Sequence, residues 1–353
     1  MKKDMKKVLI AILAVVSLAS CSNEETIVVA QPDVIGFGTP FVENATRAID
    51  PSYGANGVEL EKFNVWGVVK GNTGSAINIF NNDSVTGTIG DAAWSCTNKQ
   101  YWVPLAEYDF VAITAADKVT VAPTAGLPTS ITYNARTNPD ADVMVAVARA
   151  ETDAQSVPTV GVNAAGIVPF TFQHLLSKIK FTFTTSSAGL FKVSDIAIEG
   201  FYAEGTYPIG AGNNATWKLK LDGDGNTPAK LGAVSFGNAS NTTKVESAAA
   251  EDITSTNSVT SNYEHLFLPG EYTAGSLKVT FTKDYYLKAS DTTPASSETV
   301  NATLPALIAL PNNAYNIVVN LEGGSQITFH IDTDENGFEN WGSSTDVNPE
   351  EQQ

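Results

Sequence analysis

Apolar residues alternate with polar ones along most segments of this chain, and this two-residue period constrains the fold more than any other feature. Within residues 63–70, Phe63, Val65 and Val69 fall on one face of an extended strand. The same alternation recurs at residues 108–113, 277–281, 315–321 and 327–331. Clusters of Gly, Asn, Asp, Ser and Pro separate such segments, and no stretch of ten or more residues after residue 20 carries a clean helical apolar stripe. The pattern predicts an all-β fold built from β-sandwiches.

The phase of this alternation changes near the middle of the chain. Phe170 and Phe172 fall on even positions, whereas the apolar residues that follow fall on odd positions (Ile179, Phe181 and Phe183). A slip of one residue would turn the wrong face of a strand towards the core. We therefore expect a turn or bulge within residues 173–177 that resets the strand pairing.

Composition indicates where the chain divides into domains. The span 156–165 is small and polar, and a strong strand begins shortly after it. The chain is 43% apolar, enough to build sizeable cores, and its length suggests about two domains. We expect two β-sandwiches in tandem, at residues 34–166 and 167–345, followed by a polar tail at 346–353.

The first 20 residues have the pattern of an export signal. Lysines at positions 2, 3, 6 and 7 precede an apolar run at 8–16, which is too short to span a bilayer. The run leads into Leu18-Ala19-Ser20-Cys21, which resembles a bacterial lipobox. In such signals the chain is cut before the cysteine, whose lipidation with acyl chains such as palmitate anchors the protein in a membrane. An ordinary secretory signal with a chance cysteine is the alternative.

The residues after Cys21 indicate the destination. No aspartate follows Cys21 directly, which resembles lipoproteins released to the outer membrane. Glu24 and Glu25 look like the surface-export signals of one group of gut and oral bacteria. We expect a flexible tether at residues 21–33 and an outer-membrane lipoprotein at the cell surface.

Charge and cysteine content exclude some partners and bonds. The net charge is −17, and removal of residues 1–20, which contain four lysines and one aspartate, leaves −20. Nucleic acids and anionic lipids need basic patches, so neither is expected as a partner. After Cys21 the only cysteine is Cys96, which rules out an internal disulfide, and we expect it to serve packing.

Five features, in this order along the chain, carry a resemblance to a known family. They are Thr46-Arg47-Ala48, Tyr101-Trp102 with the strand at 108–112, the segment 168–181, Leu268-Pro269-Gly270-Glu271-Tyr272, and Trp341. Together with the lipobox, they resemble the fimbrillin-like lipoproteins, which are subunits of type V pili and related minor-fimbria proteins. Segment 168–181 resembles the sequence that joins the two domains of that family.

The resemblance implies two transthyretin-like β-sandwiches and assembly by strand exchange. In that family a protease cuts after an arginine, the first strand leaves, and a strand from the next subunit fills the groove. Transferred to this chain, the cut falls between Arg47 and Ala48. The departing strand lies within residues 34–42, and its apolar positions are Val34, Ile35, Phe37, Phe41 and Val42.

The implied partners are other fimbrial subunits, a maturation protease, an unidentified ligand on a host or bacterial surface, and the membrane through the lipid anchor. The donor strand would come from residues 327–331 or 338–341, because the tail after Trp341 holds a single apolar residue, Val347. Alternatively, the protein is a terminal or anchor subunit that accepts a strand without giving one. For Arg47, the alternative is an ordinary surface residue in a polar linker.

The sequence offers no recognisable catalytic set, so we predict that the protein is not an enzyme. His174, His265 and His330 are each isolated from other histidines, and neither a Gly-x-Ser-x-Gly motif nor a phosphate-binding loop is present. We expect His174, at the predicted bulge, to play a structural role.

Two acidic runs imitate calcium loops. Asp332, Asp334 and Asn336 are spaced like the first ligands of an EF-hand loop, but the twelfth position is Ser343 instead of glutamate. The run 222–226 has a similar spacing. We expect tight turns at both runs and no cofactor, with calcium as the alternative at Asp332, Asp334 and Asn336.

The tryptophans bear on an alternative function. Trp66, Trp102 and Trp341 lie in strand-like segments with apolar neighbours, which favours core packing. Trp94 and Trp217 are flanked by small or polar residues, so we expect these two to be exposed. Exposed aromatic rings stack on sugars, and the alternative to a fimbrial subunit is therefore a monomeric, glycan-binding lipoprotein of the outer-membrane surface.

Overall fold

The fold is that of a computed structural model. It describes residues 33–38, 40–42, 61–71, 74–88, 91, 93–123, 126–139, 141–186, 190–210, 216–236, 253–254, 259–260, 265–288, 290–321 and 327–334. From Asp33 onwards the chain forms one compact unit. The predicted signal peptide (1–20), Cys21, Arg47, Ala48, Trp341 and the predicted polar tail (346–353) lie outside the described residues.

The described residues form strands and one short 3-10 turn at Ala116–Lys118. The strands are β1 (Gly36–Phe37), β2 (Phe41–Val42), β3 (Lys62–Gly71), β4 (Ile77–Thr86), β5 (Ser95–Cys96), β6 (Ala106–Ile113), β7 (Thr120–Ala122), β8 (Ser130–Asn134), β9 (Met144–Thr152), β10 (Pro158–Val160), β11 (Ile167–Val168), β12 (Thr171–His174), β13 (Ser177–Thr184), β14 (Leu190–Glu199), β15 (Glu204–Pro208), β16 (Lys218–Leu219), β17 (Val234–Ser235), β18 (Val259–Thr260), β19 (His265–Phe267), β20 (Gly270–Tyr272), β21 (Lys278–Tyr286), β22 (Ser296–Thr303), β23 (Leu307–Ala309), β24 (Ala314–Leu321) and β25 (Ile327–Asp334). The predicted all-β class is confirmed. Within this part of the chain, no helix is long and apolar enough to cross a membrane.

The first sheet has the strand order β2-β12-β9-β6-β3-β4-β5, with β10 added beside β9. Strands β1 and β11 form a parallel pair of their own. One face of the sheet lies on a core rich in aromatic rings, here called the first core. Its buried members are Ile35, Phe37, Phe63, Val65, Phe80, Val85, Trp94, Trp102, Ala106, Tyr108, Phe110, Ala112, Met144, Ala146, Ala150, Val168, Phe170 and Phe172.

Two further sheets enclose a larger core, here called the second core. Their strand orders are β18-β13-β24-β25, with β19 beside β13, and β17-β14-β21-β22. Phe183 of β13 and Phe281 of β21 meet edge to face across this core, with ring centroids 5.5 Å apart. Two smaller sheets, β16-β15-β8-β7 and β20-β23, complete the described part of the fold.

Part of the first sheet is buried on both faces. On β6, Tyr108 and Phe110 belong to the first core, whereas Val111 and Ile113 belong to the second. This double burial explains why the apolar alternation of β6 becomes a continuous apolar run towards its end, as in strands covered on both sides.

The predicted break within residues 173–177 is confirmed, and the structure gives its reason. Strand β12 ends at His174 and β13 begins at Ser177. Phe172 lies in the first core and Ile179 in the second. The change of phase therefore marks the passage of the chain from one core to the other.

Strands from both sides of the predicted boundary at residue 166 share sheets. Strand β12 pairs with β9 and β2 of the first sheet. Strand β8 pairs with β15, with Tyr133 opposite Gly205. The first sheet thus extends to His174, and the division at 166/167 into two transthyretin-like domains stays a prediction.

Candidate functional site

The N-terminal segment, residues 33–42, is bound along one side by a distant stretch of chain. The backbone N–H of Ile35 donates to the carbonyl of Gln100 at 2.8 Å, and the N–H groups of Trp94 and Trp102 donate to the carbonyls of Phe37 and Asp33 at 2.8 and 3.1 Å. Bridges at Val34–Tyr101 and Phe37–Trp94 make this side antiparallel. Residues 94–102 therefore form one wall of a groove that holds the segment.

The other wall comes from residues 167–172. Here the segment runs parallel, with Gly36 and Phe37 opposite Ile167 and Val168, and then Phe41 and Val42 opposite Thr171 and Phe172. The N–H of Gly38 donates to the carbonyl of Val168 at 3.0 Å. The pairing is interrupted between β1 and β2, so the segment forms two short strands.

Side chains of the segment fill the middle of the first core. Phe37 is fully buried and Ile35 is 3% exposed. The ring of Phe37 contacts four aromatic rings, with centroids 5.3–6.4 Å away: Phe63, Phe80, Phe110 and Phe170. Burial of one such side chain stabilises a fold by about 1.5–3 kcal/mol, and each favourable aromatic pair adds about 0.5–1.5 kcal/mol.

The groove has room for a Cβ atom at two positions where the segment has glycine. A Cβ at Gly36 would lie 3.5 Å from Cγ1 of Ile167, and one at Gly38 would lie 3.5 Å from Cγ2 of the same residue. Both separations are ordinary van der Waals contacts. A strand with a Cβ at each of these two positions would therefore fit between the walls without displacing Ile167.

The structure places the predicted site residues as follows. Ile35 and Phe37 are buried between the walls, whereas Val34 is 43% exposed at the edge of the groove. The backbones of Phe41 and Val42 pair with β12. Residues 94–102 lie outside the site predicted from sequence, although Tyr101-Trp102 is one of the features that carry the family resemblance.

The prediction that Trp94 and Trp217 are exposed is wrong. Trp94 is 3% exposed and stacks on Phe63 at 5.6 Å between centroids. Trp217 is 8% exposed, and its indole Nε1 donates to the carbonyl of Leu175 at 2.7 Å. Glycine neighbours leave the space that these rings occupy. At Gly87, for example, a Cβ would lie 2.6 Å from the indole of Trp94, which is too close for a side chain there. The expected burial of Trp66 and Trp102 is confirmed.

The two acidic runs differ from one another. The run 222–226 is a tight turn, as predicted. The Asp224 carboxylate accepts hydrogen bonds from the N–H groups of Asn226 and Thr227 and from the Thr227 hydroxyl, and these bonds lower the pKa of Asp224.

The prediction of a turn at Asp332 and Asp334 is wrong, because both lie in β25, where the extended backbone pairs with β24. Asn336 lies outside the described residues, which contain no cluster of three metal-binding side chains.

The side chains of His174, His265 and Cys96 take structural positions, whereas the side chain of His330 lies outside the described part of the structure. Nδ1 of His174 lies 3.0 Å from Oδ1 of Asp142, and both side chains are buried where the chain passes between the two cores. His265 is buried against the ring of Phe201. Cys96 is half-buried in β5, and burial raises the pKa of its thiol, which disfavours the reactive thiolate.

The arrangement defines a class of protein: an all-β chain whose N-terminal segment pairs with β11 through β1 and joins the first sheet through β2. The family model described as fimbrillin-like matches residues 46–345, so this chain belongs to the fimbrillin-like family. Its fold is similar to that of a fimbrial protein from Bacteroides vulgatus ATCC 8482, at 15% identity and a TM-score of 0.55, over 85% of this chain and 98% of that one.

Two more solved structures match with lower TM-scores. Both proteins are provisionally named as cell adhesion proteins. The one from Bacteroides uniformis ATCC 8492 is 14% identical, with a TM-score of 0.47 over 85% of this chain and 97% of that one. The one from Bacteroides ovatus ATCC 8483 is 17% identical, with a TM-score of 0.48 over 85% of this chain and 96% of that one. No curated protein matches the chain.

Proposed function

We propose that this protein is a non-enzymatic subunit or adhesin of bacterial surface fimbriae, which assembles by strand exchange. A lipid on Cys21 holds the precursor at the outer membrane, and a protease cuts between Arg47 and Ala48. The N-terminal segment then leaves, and a strand from another subunit takes its place. Membership of the fimbrillin-like family supports this function.

The burial of Phe37 between two backbone walls is the observation that carries the proposal. Both walls come from distant parts of the chain, so a cut after Arg47 would leave the segment held by hydrogen bonds and burial alone. Its departure would expose the inner edges of both walls and an apolar trough, which is an unfavourable state. A strand supplied by a neighbour would restore both sets of contacts. Because donor and acceptor surfaces differ, repetition would build an open filament.

Of the two segments considered as donors, residues 327–331 are the better supported. Ile327-Thr328-Phe329 repeats the aliphatic-x-aromatic order of Ile35-Gly36-Phe37, with Thr328 in place of Gly36, where an added Cβ would make an ordinary van der Waals contact. Among the described strands, β25 lies at the edge of its sheet and pairs with β24 alone. The segment 338–341 lies outside the described residues.

Limited proteolysis of the chain from Ser22 onwards tests the proposal. The sequence has three arginines, Arg47, Arg136 and Arg149, and the last lies within β9. An arginine-specific protease is expected to produce an N-terminus at Ala48, identified by mass spectrometry, followed by oligomers in size-exclusion chromatography. The variant Arg47→Gln should keep its N-terminus and stay monomeric. Trimmed protein that has lost the segment, yet stays monomeric and folded under all conditions, would refute strand exchange.

The alternative function is a monomeric lipoprotein that binds glycans on exposed tryptophan rings. The two tryptophans predicted to be exposed do not support this function. Trp94 and Trp217 are both buried, so neither offers an exposed face to a sugar ring. Sugar stacking needs such a face.

A further inference from the structure

Four apolar side chains are exposed at the end of the groove where the N-terminal segment begins. Tyr101, Val103, Leu105 and Val157 are each between 43% and 51% exposed, and together they are here called the rim patch. Tyr101 lies opposite Val34, the first apolar residue of the segment. A single exposed apolar side chain is ordinary, whereas several on neighbouring stretches of chain indicate an interaction surface.

Hydrogen bonds hold the backbone of the rim patch in place. The Thr152 hydroxyl donates to the carbonyl of Val103 at 2.6 Å. The N–H of Leu105 donates to the carbonyl of Asp153 at 2.9 Å, and the N–H of Asp153 donates to the carbonyl of Val157 at 3.0 Å. The two turns that carry the patch are thus tied to one another. A partner would therefore meet a preorganised surface, which lowers the entropic cost of binding.

Leu105 has a backbone conformation that leucine rarely adopts. Its φ is 50°, in the left-handed region, and it follows Pro104. Proline followed by a residue of positive φ is typical of a type II turn, in which glycine usually takes the second of these positions. A leucine is strained there, and its half-exposed side chain gains little from burial in the monomer. Strain of this kind points to a contact outside the isolated fold.

The direction of the groove indicates which part of a partner would meet the rim patch. The proposed donor, residues 327–331, comes late in the chain, so the folded body of the donating subunit precedes it. Because the same two walls receive it, the incoming strand is taken to run in the direction of the segment, which places its first residue near Tyr101. Five residues separate Leu321 at the end of β24 from Ile327, and they span at most about 20 Å. The body of the donating subunit is therefore held close to the rim patch.

We propose that the rim patch is a docking surface for the folded body of the donating subunit, a second copy of this chain. The inference rests on the strand-exchange function proposed above, to which it adds a second contact between subunits. Departure of the segment removes Val34 from beside Tyr101, so the same cut that opens the groove uncovers more of the patch. A stable interface buries about 800 Å² on each partner, far more than four half-exposed side chains provide. The patch therefore strengthens strand exchange and does not join uncut chains.

Two measurements on the chain from Ser22 onwards, cut after Arg47, separate docking from strand insertion. A fluorescent peptide of residues 327–334 has no folded body, so its affinity for the cut chain reports insertion alone. Size-exclusion chromatography of the cut chain reports assembly of whole subunits. Leu105→Glu should leave the affinity of the peptide within about twofold of the wild-type value and should lower the amount of oligomer by about tenfold or more, because a charge enters an apolar contact.

Val147→Glu is the matched control for an added charge. Val147 is 57% exposed on β9, between Ala146 and Ala148, which pack against the first core, so its side chain lies on the opposite face of the sheet. This variant should bind the peptide and assemble like the wild type.

Leu105→Gly tests the patch without adding a charge. Glycine adopts a positive φ without strain, so the uncut variant should keep its melting temperature within about 2 °C of the wild type or exceed it. Loss of the leucine side chain should nevertheless reduce the oligomer by about threefold or more after the cut. A gain in stability with a loss of assembly is the result expected of a residue kept for binding.

Leu105→Glu and Leu105→Gly chains that bind the peptide and assemble as fully as the wild type would refute the docking surface and leave strand exchange intact. Wild-type chains that bind the peptide yet stay monomeric would also refute the surface. A cut wild-type chain that never binds the peptide would overturn both proposals. Binding of the uncut chain to phosphatidylcholine vesicles, abolished by Leu105→Glu, would assign the patch to a membrane and overturn the docking surface alone.

Discussion

The rings of Phe37 and Phe170 stack in the first core, with centroids 5.7 Å apart and an angle of 20° between their planes. Phe37 belongs to the N-terminal segment and Phe170 lies between β11 and β12, which are the strands that pair with this segment. The same two stretches of chain thus meet through backbone pairing and through their side chains. This double contact makes the segment part of the fold before any cut at Arg47.

Truncation of Phe37 should therefore be strongly destabilising. Phe37→Ala is expected to lower the free energy of unfolding by about 3–5 kcal/mol, because the cavity would open among four aromatic rings. Val34→Ala serves as the control, since Val34 is 43% exposed and should lose less than about 1 kcal/mol. Urea unfolding of both variants provides the measurement. Equal losses would mean that Phe37 is not the main apolar anchor of the segment.

Substitution of two glycines beside the first core should change stability according to the space around each of them. Gly36→Ala should change the free energy of unfolding by less than about 1 kcal/mol, since the new Cβ would lie 3.5 Å from Ile167. Gly87→Ala would instead place a Cβ 2.6 Å from the indole of Trp94, and should destabilise the protein by about 1–3 kcal/mol. Thermal melts of the two variants would distinguish these outcomes. A Gly36→Ala variant as unstable as Gly87→Ala would show that the groove has no spare room.

The strands could be predicted from sequence, because a two-residue period with turn clusters between segments is a local signal. The break before Ser177 could also be predicted, because it changes the parity of the apolar positions. The burial of Trp94 could not, since it depends on Phe63 and on space at Gly87, which the fold alone brings together. The misassignment at Asp332 has a similar cause: spacing along the chain suggested a turn, whereas pairing with β24 keeps the backbone extended.

The two walls of the groove could not be derived from alternation either. The N-terminal segment pairs in parallel with β11 and β12 and antiparallel with residues 94–102. Such pairings join parts of the chain that are far apart in sequence, and no turn pattern in the sequence near Val34 predicts them. The resemblance to the fimbrillin-like family predicts a strand within residues 34–42, and the structure shows which stretches of chain pair with it.

Alkaline pH should weaken the fold through Tyr272. Burial raises the pKa of Tyr272 well above its ordinary value, and its hydroxyl donates to the carbonyl of Leu268 at 2.6 Å. A tyrosine in the unfolded chain ionises near pH 10, so the stabilising contribution should be complete below about pH 10 and should decline as pH rises further. In urea titrations between pH 8 and 11, Tyr272→Phe should show a shallower decline than the wild type. Identical slopes would exclude Tyr272 as a source of the effect.

Trp217 should stabilise the passage between the two cores. Its Nε1 donates to the carbonyl of Leu175, one of the two residues that separate β12 from β13. Trp217→Phe would leave that buried carbonyl without its indole donor and should lower the free energy of unfolding by about 1–3 kcal/mol.

Because Trp217 is only 8% exposed, added sugars should not quench its fluorescence. Chemical denaturation and a fluorescence titration with sugars would measure both effects. A neutral substitution, or quenching that the variant abolishes, would place the indole at the surface and return support to the glycan-binding alternative.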